Sequence, residues 1–158
     1  MQNGGYSIAK QIFNIKNAGK IQHTTDRKGR VVWWHENYKY AIDALGICLF
    51  AIQGLPGMGV GYFDDFAHIM NSMYNLDMTQ LDALNVAERI YQLQNSFNVN
   101  CGLELRDYKW PVRKKDPDID VTFIKDTTIT TRDEPGMLPE YFQYRGLTKE
   151  GKPTIKRF

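Results

Sequence analysis

Cysteine and histidine are scarce in this sequence of 158 residues: the cysteines are Cys48 and Cys101, and the histidines are His23, His35 and His68. Two thiols can close one disulfide at most, whereas small secreted domains rely on several, so the sequence points to a reducing, cytoplasmic setting. The histidines stand apart, with no pair at the spacing that puts two imidazoles on one helix face, which argues against a zinc centre. Long apolar runs are also lacking. The longest, Ala44 to Ile52, is interrupted by Gly46 and falls far short of the roughly 20 residues of a membrane span. The start, MQNGGYSIAKQIF, lacks the basic-then-apolar layout of a secretory signal. Charge of one sign is missing as well: the net charge is +2. Basic residues gather towards both ends around an acidic centre at Asp64, Asp65, Asp77, Asp82 and Glu88. So modest a balance disfavours nucleic acid as a partner.

What is present suffices for a globular core, with 42% hydrophobic and 13% aromatic residues in a chain of about one domain's length. Ile8, Ile12 and Ile15 share a face of a short helix. A turn at Lys28-Gly29 leads into a helix-like stretch from about Trp34 to Ile52, which the glycines of GLPGMGVG end. Those glycines have no Gly-Lys-Ser/Thr ending and no strand before them, so they read as a connection and not as a phosphate loop. Asp64 and Asp65 suit a helix start, with Phe66, Ile69, Met70 and Met73 following at helical spacing as core. Thr79 and Asp82 form a capping-box pattern that opens a long helix, whose stripe of Val86, Ile90, Leu93 and Phe97 predicts its buried face and whose end falls near NVNCG. From Leu103 to Pro139 the period is lost among prolines and charges, with one short strand expected at DVTFI; LPEYFQYRG then reads as a short helix closed by Gly146. The fold class is mainly α, a single helical domain over 1–158 with a long irregular proline-marked segment.

The stretch DALGICLF, Asp43 to Phe50, sits awkwardly in an apolar helix, because a carboxylate and a glycine both weaken it. One reading is structural: Asp43 caps, Gly46 admits a close neighbour and Cys48 is a small buried hydrophobe. The other is chemical: a thiolate can ligate iron, a glycine lets backbone approach a bulky group, and a carboxylate accepts from the N–H donors of a heterocycle. Elsewhere the alternatives are plain. Of Trp33 and Trp34, one is a core anchor and one half-exposed; His68 lies on a helix surface; Ser72 and Ser96 have no His/Asp arrangement for nucleophilic catalysis.

DALGICLF, ERIYQLQNSFNV, WPVR and EYFQYRGLTKEGKPT, in this order and at these intervals, resemble the C-terminal region of the tungsten-containing aldehyde ferredoxin oxidoreductase family, from about Lys28 to Thr154. The resemblance implies a helical fold, and a site in which Cys48 is the fourth ligand of a 4Fe-4S cluster while Asp43 and Ile47 contact a pterin of a tungsten bis-pterin cofactor. It also implies oxidation of an aldehyde to a carboxylic acid in the complete enzyme, with ferredoxin taking the electrons. Cys101 has no counterpart there and reads as a buried or semi-exposed structural thiol.

The departures are equally specific. The family's N-terminal pterin-binding domain, the cluster's three other cysteines and its Asp-x-x-Gly-x-Asp motif are missing; Leu147 replaces the usual tryptophan after Arg-Gly, and Ala87 the usual glycine before Glu-Arg. The chain is therefore expected to be a fragment, an expressed domain or a split subunit that supplies one wall of a cofactor site. Alone it should be inactive and hold neither cofactor. Its partners are then the missing N-terminal cofactor-binding domains or subunit, with possible self-association through its apolar helix. The alternative is a non-catalytic helical interaction domain derived from the same family.

Overall fold

The computed structural model describes residues 13–14, 27–49, 63–107 and 137–154. Within them lie four α-helices: α1 (Lys28–Ala44), α2 (Phe63–Tyr74), α3 (Gln80–Asn100) and α4 (Met137–Arg145), with a 3-10 turn at Leu105–Asp107. There is no strand among the described residues; a lone antiparallel bridge joins Leu147 to Pro153. The expected helix carrying Ile8, Ile12 and Ile15, the glycine connection, the strand at DVTFI and the WPVR motif lie outside the described residues.

Helix α1 is the centre, packing against α4 and α3, while α3 also packs against α2. Its inward face sets Trp34, Tyr38, Ala41 and Ile42 against Phe63, Phe66 and Ala67 of α2 and Ala83 and Ala87 of α3. Trp34 stacks on Tyr38 with ring centroids 5.2 Å apart, and Phe63 meets the Trp34 edge at 5.8 Å. Alanines on each helix let the backbones close around these large rings, so bulk at one position is matched by its absence opposite. A second cluster joins Tyr91 of α3 to Phe142 of α4 and Leu147 beyond it. Trp33, the neighbour of buried Trp34, is half-buried, as the sequence predicts for such a pair.

The start of α1 differs from the expected turn at Lys28-Gly29. Those residues are already helical, and the reason is not local: Arg27 gives no side-chain cap. Glu140 of α4 supplies it instead, its carboxylate accepting from the Gly29 backbone N–H at 2.9 Å and from Arg30 Nε at 2.9 Å. A carboxylate at a helix N-terminus satisfies an orphan donor and complements the dipole. The capping box that opens α3 is local and forms as read, Thr79 Oγ1 accepting from Asp82 N and Asp82 Oδ2 from Thr79 N.

The ends of α1, α3 and α4 share one device. In α1, Gly46 N–H donates to the Asp43 carbonyl and Ile47 N–H to the Ile42 carbonyl; in α3, Gly102 and Leu103 do the same to Val99 and Asn98; in α4, Gly146 and Leu147 to Gln143 and Phe142. Gly46, Gly102 and Gly146 all have positive φ, at 68°, 98° and 63°. This is the Schellman closure, in which a left-handed residue turns the chain and an apolar residue follows. The stretch expected to be helical from Trp34 to Ile52 is thus broken at Gly46, and α3 and α4 end where NVNCG and Gly146 predict.

Two expected core faces are corrected. In α2, Phe63, Phe66 and Ala67 are buried, but Ile69 and Met73 are exposed. In α3 the stripe of Val86, Leu93 and Phe97 faces outward, with Ile90 only partly covered, and the buried residues are Ala83, Ala87, Glu88, Tyr91, Gln92 and Asn95. The apolar period is real, but it lies on the face turned away from α1.

Candidate functional site

The Asp43–Cys48 segment is the C-terminal closure of α1. Gly46 is there for its left-handed φ: a Cβ at this position meets nothing within 4 Å, so no close neighbour demands the glycine. That corrects the expectation of a packed approach and leaves open space above the turn. Asp43 is exposed in the last turn, where its Oδ1 accepts from Lys39 Nζ one helical turn earlier. Such an exposed pair on a helix surface contributes little and leaves the carboxylate accessible. Ile47 is half-buried against the aromatic core, anchoring the turn. Cys48 is a free, exposed thiol, which sets aside its reading as a buried hydrophobe; Cys101 is also free and exposed, not buried.

The turn therefore presents to solvent a carboxylate, an unobstructed stretch of backbone and a thiol, on a base fixed by Ile47. Among the described residues no group of three or more His, Cys, Asp or Glu side chains could hold a metal ion. One thiolate does not fit a four-iron cluster, which takes four protein ligands, except as a single ligand of a site completed by other protein. Asp43 and the open backbone likewise fit one edge of a heterocycle and not an enclosing pocket.

Behind this turn the helices are tied by a buried polar network that sequence periodicity missed. Arg145, at the end of α4, is fully buried. Its Nη1 donates to Asn37 Oδ1 at 2.6 Å and Glu88 Oε2 at 2.8 Å, its Nη2 to Glu36 Oε2 at 2.6 Å, and its Nε to the Tyr141 hydroxyl at 3.2 Å. The guanidinium carbon lies 3.8 Å from the centroid of the Tyr91 ring. Burial works against the Arg145 charge, but Tyr141, Glu88 and Glu36 outweigh it and hold its pKa above the ordinary arginine value. Burial raises Tyr141 far above the ordinary tyrosine value despite Arg145, and the nearby Glu36, to which its hydroxyl donates at 2.6 Å, raises it further.

Glu88 is the second hub. Its Oε2 also accepts from Trp33 Nε1 at 3.0 Å and Asn37 Nδ2 at 2.9 Å, and its Oε1 from Gln92 Nε2 at 3.0 Å. Gln92 Nε2 also donates to the Arg145 carbonyl at 2.6 Å, satisfying a group at the end of α4. Asn95 Nδ2 reaches the Gly151 carbonyl at 3.2 Å, and Thr154 Oγ1 donates to the Gly146 carbonyl at 2.8 Å, folding the segment after α4 back onto α3. The donors and acceptors of these buried groups meet one another, which is the condition under which a buried charge is tolerated. The available signal was the phase of Ala83, Ala87 and Tyr91, which places Glu88, Gln92 and Asn95 on the inner arc of α3.

A small helical assembly locked by a buried arginine, carrying at one helix end an outward Asp-x-x-Gly-x-Cys turn, is the class of protein these features define. The family model described as "Aldehyde ferredoxin oxidoreductase, domains 2 & 3" matches residues 2–158, and the chain belongs to that family. The match extends through the N-terminal residues that the motif resemblance, beginning near Lys28, did not reach. Among its relatives, the tungsten-containing aldehyde ferredoxin oxidoreductase of Pyrococcus furiosus is 28% identical over 148 residues, that of Pyrococcus abyssi 27%, and that of Thermococcus kodakarensis 26%. Each alignment covers 93% of this chain and 23% of the relative, so the chain spans about a quarter of the length of these proteins. No helix among the described residues is long and apolar enough to cross a membrane.

Proposed function

We propose that this chain furnishes one wall of the tungsten-pterin and iron-sulfur site of an aldehyde ferredoxin oxidoreductase, whose remaining walls come from the family's cofactor-binding domains. The observation that carries the reading is the outward Asp43–Cys48 turn in a chain matched over nearly its whole length by the family. In the complete enzyme the bound cofactors supply two-electron oxidation of an aldehyde to a carboxylic acid and transfer of the electrons to ferredoxin. The residues of this chain hold and orient. Cys48 would offer one thiolate to the cluster, Asp43 would accept from pterin N–H donors, and the Ile47 backbone, positioned by its side chain in the core and by the closure at Gly46, would contact the pterin.

The test is co-expression of the full chain with the cofactor-binding polypeptide of the family encoded in the same genome. Copurification with stoichiometric tungsten and iron, and aldehyde-dependent reduction of ferredoxin, is the expected result. Cys48→Ser should lower the iron content, and Asp43→Ala the tungsten content, with the helical circular dichroism unchanged. A complex that forms but takes up neither metal would reject the proposal in favour of a non-catalytic interaction domain.

A further inference from the structure

We draw no further inference here: the strongest candidate, the apolar seam of Val86, Ile90, Leu93 and Phe97 along the outer face of α3, carries none, because nothing in the structure shows what covers it.

Discussion

The two faces of α3 reverse the usual distribution of side chains. Inward, between Ala83 and Asn95, the helix spends its buried surface on Glu88, Gln92 and Asn95, which bind Arg145 or the chain that follows it. Outward it leaves Val86, Leu93 and Phe97 in solvent. A self-sufficient domain would gain from the opposite arrangement, because burying three large apolar side chains stabilises by roughly 1.5–3 kcal/mol each, while a buried ionic network contributes little net stability over apolar packing. The polar face fixes which helices meet and in which register; the apolar face has no neighbour among the described residues. The family motifs divide the same way. Glu88, Tyr91, Gln92, Arg145, Gly146 and Thr154 hold the fold, whereas Asp43 and Cys48 point away from it.

The largest effect should come from removing the hub of the inner face. Arg145→Met leaves Glu88 and Glu36 without their shared cation, and uncompensated charges in that setting cost about 3–5 kcal/mol. Urea denaturation of the full chain measures this; a loss below about 1 kcal/mol would mean that the network is open to water and does not organise α1, α3 and α4. A smaller loss is expected of Glu88→Gln, which preserves shape and one acceptor: with the amide oxygen in place of Oε2 it keeps Trp33, Asn37 and Arg145, and its N–H₂ then meets the donating Gln92 amide in place of Oε1. About 1–3 kcal/mol is the scale for leaving a buried donor unsatisfied, and urea denaturation of this variant reads it. If Glu88→Gln proved as costly as Arg145→Met, the carboxylate and not the guanidinium would be the hub.

Gly46 closes α1 beneath the Asp43–Cys48 turn. Because a methyl there meets nothing within 4 Å, Gly46→Ala isolates the conformational penalty of a left-handed residue, about 1 kcal/mol, with no steric term. A thermal melt of the chain alone reads it. A neutral result would show that the turn can relax out of the left-handed conformation, loosening the base on which Cys48 sits.

How much was legible in the sequence follows the same inner and outer division. Local chemistry was readable: the Thr79–Asp82 box, the helix ends near Gly102 and Gly146, and the half-buried Trp33 beside buried Trp34 all depend on residues within a few positions. The start of α1 was not, because its cap comes from Glu140, more than a hundred residues along the chain. Gly46 was read as interior because the apolar run continues through Ile47 and Leu49; the apolar residue after a left-handed glycine belongs to the closure itself. The α3 face was misassigned for a different reason. Periodicity reports which face is apolar, not what covers it, and equating the apolar face with the core presumes that the chain contains all the surface it buries. The Asp43–Cys48 motif was legible as chemistry from its residue types and as part of a family from its order with the others; that it faces solvent needed the structure.

The smallest predicted effect is the sharpest test of that error. If Val86, Ile90, Leu93 and Phe97 formed the core, Leu93→Asp would bury a charge and unfold the domain. With Leu93 71% exposed, little apolar area is lost on substitution, no cavity opens, and the new carboxylate stays hydrated. What remains is the lower helix propensity of aspartate, about 0.5 kcal/mol, in a position too far inside α3 for the helix dipole to matter greatly. Gln94→Ala should cost at least as much, since it removes the acceptor of the Tyr40 hydroxyl. Urea melts of the two variants side by side decide the matter: a Leu93→Asp loss beyond about 2 kcal/mol would turn the seam inward, because only desolvation of the charge reaches that size at a single helical position.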